Sequence, residues 1–138
     1  MSNLALQLIR KEKEEKTGYL DLGNCGLTEL PDELFDCVWL ETLIVANKYW
    51  GIEENDWIES KNKGVENILS AIPNKIQNIS NLKTLIIGDY GSWNIADISP
   101  LKNLKKLKYL DISENKFIKN YKTLIYLPRL EHLIIGYN

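Results

Sequence analysis

A leucine motif recurs five times along the chain, and this repeat restricts the possible folds more than any other feature. The motif is LxxLxLxx followed by Asn or Cys, where x is any residue and Ile or Val can replace Leu; in the first copy, Thr17 replaces the first leucine. Asn47 and Asp89 stand one position before the last slot of their copies. The copies begin 23, 42, 25 and 23 residues apart, at Thr17, Leu40, Leu82, Leu107 and Leu130. This spacing indicates a solenoid in which each repeat forms one coil.

The centre of each copy alternates apolar residues with others, as a strand of period two requires. Burial of one leucine or isoleucine stabilises the fold by about 1.5–3 kcal/mol, but only where a neighbouring coil covers it. The strands are therefore expected to stack as a parallel sheet on the concave side. The inward residues are Leu20, Leu22, Leu43, Val45, Leu85, Ile87, Leu110, Ile112, Leu133 and Ile135.

The copies resemble leucine-rich repeats over residues 17–138, in segments such as "TGYLDLGNCGLTELPDEL" and "LKYLDISEN". "LTELP" resembles the bacterial type, and "IADISPLKNLKKLKYLDISEN" is similar to the 22-residue type of internalins and phosphatase regulators. The beginning, "LALQLIRKEKEEKTGYLDLGNCGLTELPDEL", resembles the entry of leucine-rich domains in bacterial Roco-type proteins, although no GTPase segment is present. The resemblance implies an α/β leucine-rich-repeat solenoid of five coils with a parallel concave sheet.

We expect a single domain, 1–138, whose residues 1–16 form a helical cap and whose residues 17–138 form the repeats. Ser2 is suited to begin the helix, and its apolar stripe would cover the first coil. The last coil has no comparable segment, so its apolar residues would face solvent or another chain. A longer parent protein and self-association through this edge both stay open. The stripe is Leu4, Ala5, Leu8 and Ile9, and the last-coil residues are Leu127, Leu130, Leu133 and Ile135.

The outward strand positions form three rows across the concave face. The central row contains three isoleucines beside small residues, which predicts a shallow apolar channel, and exposed apolar patches tend to mark interaction sites. The alternative is that the insertion of the second repeat folds over the channel and buries it. The rows are Tyr19, Thr42, Thr84, Tyr109 and His132; then Asp21, Ile44, Ile86, Asp111 and Ile134; then Gly23, Ala46, Gly88, Ser113 and Gly136.

The 42-residue repeat contains an insertion at about residues 49–67, too apolar for a disordered loop and with a net charge of −3. The next coil is lengthened at the same edge, so Tyr90 and Trp93 are expected near Tyr49 and Trp50. Trp50 and Trp93 would be packing residues, and Trp57 the exposed anchor for a partner. A satellite core that merely holds the insertion is the alternative.

The sequence contains no motif for nucleotide binding or nucleophilic catalysis, and His132 is its only histidine, which predicts a non-enzyme without cofactor or metal. A pI near 5.5 argues against nucleic acid. The longest apolar runs are too short to span a membrane. With two cysteines, Cys25 and Cys37, and no signal-peptide pattern, a reducing cytoplasmic location is expected.

These features predict a module that binds a protein partner, one with basic residues beside an apolar segment, through the concave face and the insertion. A homo-oligomer closed through the C-terminal coil is the alternative. It is supported by an acidic N-terminal half and a basic C-terminal segment. A piece of a larger Roco-like signalling protein is a third possibility. The predicted partner-binding residues are Tyr19, Ile44, Trp50, Trp57, Ile86, Tyr90, Trp93, Tyr109, Asp111, His132 and Ile134.

Overall fold

The computed structural model describes residues 3–89 and 93–136, which form a solenoid preceded by a helix. The helix is α1 (Asn3–Glu15), and the strands are β1 (Tyr19–Asp21), β2 (Thr42–Ile44), β3 (Lys48–Gly51), β4 (Asp56–Glu59), β5 (Thr84–Ile86), β6 (Tyr109–Asp111) and β7 (His132–Ile134). Five strands form one parallel sheet in the order β1-β2-β5-β6-β7. The predicted parallel sheet of a leucine-rich-repeat solenoid is thereby confirmed.

The repeat sets the register of this sheet. Each strand pairs with the next so that equivalent residues lie side by side, as Leu20 does with Leu43 and Leu43 with Leu85. The convex side consists of short 3-10 helices at Asp32–Asp36, Asn74–Asn78, Ser99–Asn103 and Tyr121–Tyr126. The inward leucines and isoleucines of both sides, other than Leu133 and Ile135 of the last coil, fill one continuous core.

Helix α1 packs against the first coil. Ala5 and Ile9 are completely buried, and Leu4 and Leu8 pack against the same core, as the stripe predicted. Glu12 is buried as well, and its carboxylate accepts hydrogen bonds from the Thr17 hydroxyl (2.6 Å), the Gly18 N–H (2.9 Å) and the Trp39 indole (2.8 Å). Ser2 lies outside the described residues.

A chain of buried amides closes the turns after the strands. The sequence placed Cys25 in such a slot, but the bonding there comes from Asn67, at the end of the insertion. The Oδ1 of Asn67 accepts from the N–H groups of Cys25 and Leu27, and its Nδ2 donates to the carbonyls of Leu22 and Val45. The amide thus satisfies four backbone groups that burial would otherwise leave unpaired.

The last strand is covered less than the others. Leu133 and Ile135 are 37% and 40% exposed, whereas Leu127 is buried in the core. The expectation that Leu127 would also face solvent was wrong, because it closes the last 3-10 helix and packs beneath it.

Candidate functional site: a roofed cleft on the concave face

The insertion folds into a β-hairpin that follows directly after β2. Strands β3 and β4 pair antiparallel, with Tyr49 opposite Ile58 and Trp50 opposite Trp57. Asn55 adopts a positive φ of 52° in the turn, a conformation that asparagine tolerates better than most residues. The hairpin was not predicted from the sequence, although β-branched and aromatic residues flank a turn there.

The segment after β4 fastens the hairpin to the first coil. The Ser60 hydroxyl lies 3.0 Å from both carboxylate oxygens of Asp21. The Asn62 amide donates to the carbonyls of Asp21 and Gly23, at 2.9 Å each. Gly23 permits this contact, since a Cβ there would lie 2.5 Å from that of Ser60. These bonds hold the hairpin against the concave face.

The predicted open channel is not present at its centre. Ile44 and Ile86 are only 3% and 4% exposed and form a second apolar cluster with Ala46. Tyr49 of the hairpin and Tyr109 of β6 pack against that cluster. Of the two predicted alternatives, the structure matches the second: the insertion folds over the isoleucines and leaves them only as the floor of a cleft.

The small residues of the third row do not widen a channel either. A Cβ at Gly88 would lie 2.2 Å from the Ser113 backbone nitrogen, closer than real Cβ atoms come. These positions are small because neighbouring coils approach closely there.

A cleft of about 420 Å³ remains between the hairpin and the sheet. Its floor is Ile44 and Ile86, and the hairpin contributes residues of β3 and of the turn after it. All five residues of the first outward row line it from β1 to β7. The complete lining is Tyr19, Thr42, Ile44, Tyr49, Gly51, Ile52, Glu53, Glu54, Thr84, Ile86, Tyr109 and His132.

The tyrosines of the cleft are partly desolvated. Burial raises the pKa of Tyr49 to about 12, and the neighbouring Tyr19, Asp21, Glu54 and Tyr109 add to this shift. Burial also raises the pKa of Tyr109 to about 12, with further contributions from Asp111, Glu54 and Glu53. Both phenols are therefore neutral hydrogen-bonding groups across the physiological pH range. Glu54 of the hairpin turn contributes to both raised pKa values. The ring centroids of Tyr109 and His132 are 5.7 Å apart.

Trp93 does not join the aromatic residues of the hairpin. Trp50 and Trp57 meet edge to face at 5.4 Å, and Trp57 is 42% exposed on the outside of the hairpin. Trp93 instead lies in the main core, 2% exposed, where its indole donates to the Asn67 carbonyl at 2.8 Å. The placement of Trp93 beside Trp50 was wrong, because the lengthened coil turns inward at this tryptophan. Tyr90 lies outside the described residues.

Asp111 and Ile134 do not line the cleft. Asp111 is completely buried, and its Oδ1 accepts from the Ser113 N–H and hydroxyl, at 3.0 and 2.7 Å. Its Oδ2 has no hydrogen-bond partner within the described residues. Burial raises the pKa of Asp111 to about 6 against these two bonds, and the charge of Asp89 raises it further. Asp111 was expected on an accessible surface, and its burial contradicts that expectation.

Seven residues that line the cleft were not among the predicted partner-binding residues: Thr42, Tyr49, Gly51, Ile52, Glu53, Glu54 and Thr84. Ile52, Glu53 and Glu54 were missed because the hairpin was not predicted, and its turn places them above the sheet. In residues 3–89 and 93–136, no three His, Cys, Asp or Glu side chains are grouped as a metal site would require. No helix in those ranges has the length and apolar character to cross a membrane.

Solved structures with the same fold are bacterial leucine-rich-repeat proteins. An internalin C2 from Listeria monocytogenes aligns over 99% of this chain and 65% of its own, with a TM-score of 0.59 and 21% identity. Another Listeria monocytogenes internalin, inlF, aligns over 80% of this chain and 32% of its own, with a TM-score of 0.51 and 20% identity. This chain thus spans less than two thirds of either. No protein-family model and no curated protein sequence matches it. The chain therefore has the leucine-rich-repeat fold, and the resemblance to Roco-type proteins stays a prediction.

Proposed function

We propose that the protein is a non-catalytic interaction module that binds a protein partner through the roofed cleft and the outer face of the hairpin. The observation that carries this proposal is the cleft itself, which extends across all five parallel strands beneath an inserted hairpin. Clefts of about 300–1,000 Å³ with an apolar lining and a few polar groups are the usual form of sites that bind small ligands, and this cleft has the size to hold a single side chain of a partner.

The hairpin adds exposed apolar groups beside the cleft. Trp57 and Ile52 are each 42% exposed, and large rigid side chains of this kind dominate the binding energy of many interfaces. The Trp50 ring contacts Trp57 edge to face, and this contact restricts the Trp57 indole before a partner binds. Pre-ordering lowers the entropic cost of association.

Photo-crosslinking tests the location of this interface. A photoreactive phenylalanine at Ile52 should crosslink a discrete protein in cells of the source organism, whereas the same group at Gln77, on the convex side, should not. The crosslinked protein is then purified and its affinity measured. Trp57→Ala should weaken binding about tenfold or more, while Val38→Ala, an exposed apolar residue of the convex side, should leave it unchanged. Equal losses in both variants would contradict the proposal.

A second candidate function is self-association through the last strand. Strand β7 is at the edge of the described sheet, and Leu133 and Ile135 are 37% and 40% exposed. Such an edge can pair with another chain. Light scattering over a concentration range should then show a dimer that Ile135→Asp converts to monomer. A monomer at all concentrations would remove this candidate.

The state of the two cysteines relates to the redox conditions in which the protein acts. Cys25 and Cys37 are both free and buried, and this supports our proposal that the protein acts in a reducing compartment such as the cytoplasm.

A further inference from the structure

The formal charges of the cleft are negative at neutral pH. Glu53 and Glu54 stand at its hairpin edge, and none of the described lining residues is a lysine or an arginine. The Glu54 carboxylate folds back toward the hairpin backbone, since its Oε1 would lie 2.7 Å from a Cβ placed on Gly51. Glu53 and Glu54 are both exposed and both line the cleft, so the acidic pair lies where the cleft meets solvent. A group of opposite charge would be favoured there.

Three tyrosine rings surround the same space. Tyr19 comes from β1, Tyr49 from the hairpin and Tyr109 from β6, and all three line the cleft. The ionisation of Tyr49 is opposed first by burial and then by Tyr19, Asp21, Glu54 and Tyr109. The three rings and the Glu54 carboxylate therefore form one electrostatic cluster. Aromatic faces attract ammonium and guanidinium groups, most strongly where water is partly excluded.

The floor of the cleft requires a second property of the ligand. Ile44 and Ile86 offer only apolar contact at the base. A compact inorganic cation would leave this floor without a partner. Lysine and arginine combine an apolar stem with a charged head, so the stem can lie on isoleucine while the head reaches aromatic and acidic groups.

We infer that the cleft binds a lysine or arginine side chain presented by the protein partner, with the stem on Ile44 and Ile86 and the cation among the tyrosines and glutamates. This inference rests on the proposed function and specifies the chemistry of its partner. The exposed Ile52, which lines the cleft, favours a polypeptide over a free amine, because a residue that flanks the basic side chain would cover it.

Titration with designed peptides tests the chemistry without knowledge of the partner. The probes are acetyl-Gly-Leu-Lys-Leu-Gly-amide and its versions with arginine, norleucine or acetyl-lysine at the centre. The Lys and Arg peptides should shift the methyl resonances of Ile44 and Ile86 and bind about tenfold more tightly than the neutral peptides. Equal affinity of all four peptides would overturn the inference.

Two substitutions locate the binding site of the cation. Tyr19→Leu removes a ring whose side chain is 51% exposed, so the fold should be preserved. Glu54→Gln removes one charge at the opening. Each should weaken the Lys peptide about threefold to tenfold. The control is Glu59→Gln, on the same hairpin but outside the cleft, where Glu59 faces Lys48 at 3.9 Å. Affinities unaltered by Tyr19→Leu and Glu54→Gln, or weakened equally by Glu59→Gln, would overturn the inference.

The inference about the basic side chain and the proposed function can be disproved separately. If n-butylammonium binds as tightly as the Lys peptide, the cleft is an amine site and the assignment to a protein side chain is wrong. If a partner crosslinks at Ile52 but the peptides show no preference for a cation, the interaction module stands and the basic side chain is wrong. If the Lys peptide binds selectively and no partner crosslinks at Ile52, the proposed function is the part that fails.

Discussion

The two edge strands of the parallel sheet carry the same motif but differ in how they are covered. In β1, helix α1 packs over the coil and Leu20 is 4% exposed, whereas in β7 the equivalent Leu133 is 37% exposed. The buried carboxylates on the elements next to these two strands differ too. Glu12 beside β1 has three donors, while Asp111 in β6 has an oxygen without a partner in the described part of the chain. The repeat thus determines which residues point inward, but their energetic value depends on what lies against them.

The largest expected effect distinguishes the two edges by core truncation. Leu20→Ala should lower the free energy of unfolding by about 3 kcal/mol, because it removes buried methyl groups and leaves a cavity. Leu133→Ala should cost less than about 1 kcal/mol, since that side chain already contacts water. Urea denaturation of both variants measures the difference. Equal losses would show that the last coil is as well covered as the first.

Glu12→Gln should lower the free energy of unfolding at pH 7 by about 2 kcal/mol, since donors that now face a carboxylate would meet an amide. Burial disfavours the charge of Glu12, but the bonds from Thr17, Trp39 and Gly18 outweigh it and lower the pKa of that carboxyl. A lowered folded pKa gives stability that is present above the ordinary value of 4.5 and is lost as the pH falls through the folded pKa.

The difference between wild type and Glu12→Gln should therefore shrink on acidification, as urea titrations between pH 3 and pH 7 would show. Glu15→Gln, at an exposed position of the same helix, is the control and should change little. A difference that does not depend on pH would contradict the role of the charge.

Asp111 should show the opposite pH dependence. Its pKa in the folded protein is about 6, above the ordinary 3.8. A raised folded pKa gives stability that is present below 3.8 and is lost as the pH rises through about 6. Asp111→Asn should therefore raise the free energy of unfolding at pH 8 by about 1 kcal/mol, because it removes an incompletely paired buried charge. The gain should vanish near pH 4. Thermal unfolding at the two pH values measures it, and destabilisation at pH 8 would contradict the prediction.

The smallest expected effect concerns the ion pair between α1 and the first coil. Lys13 contacts Asp36 at 3.0 Å, but both side chains are substantially exposed to water. Exposed pairs contribute little, so Lys13→Ala should change the free energy of unfolding by at most about 0.5 kcal/mol. A larger loss, measured by urea denaturation at low salt and abolished by 0.5 M NaCl, would contradict this prediction. It would show that the ion pair, rather than the burial of Ala5 and Ile9, holds α1 on the first coil.

The fold could be predicted because it depends on local periodicity. The recurrence of Leu20, Leu43, Leu85, Leu110 and Leu133, together with the alternation of apolar residues within each copy, was sufficient to predict the strands, their parallel order and the inward face. The first outward row was also predicted correctly, since its position follows from the same alternation.

The site was harder to predict because it depends on contacts between segments distant in sequence. Burial of Ile44 and Ile86 requires a hairpin whose position is fixed by Ser60 and Asn62 bonding to the first coil. Trp93 lies in the core, where its indole donates a hydrogen bond to the Asn67 carbonyl. Neither interaction leaves a periodic signal in the sequence. Composition indicated an aromatic and acidic insertion, and only the fold shows which of its groups reach the sheet.

The asparagines at the two ends of the insertion have a consequence for how such a protein can change. Asn47 and Asn67 bond to each other twice, through the Asn67 N–H at 2.8 Å and the Asn47 amide at 3.1 Å. These bonds close the coil at the base of the insertion, and Ser60 and Asn62 attach it to the first coil. The turn at residues 52–55 contributes none of these bonds, so it can diversify by substitution or by a change of length while the supporting coils stay the same. The solenoid thus acts as a constant frame that carries a variable turn.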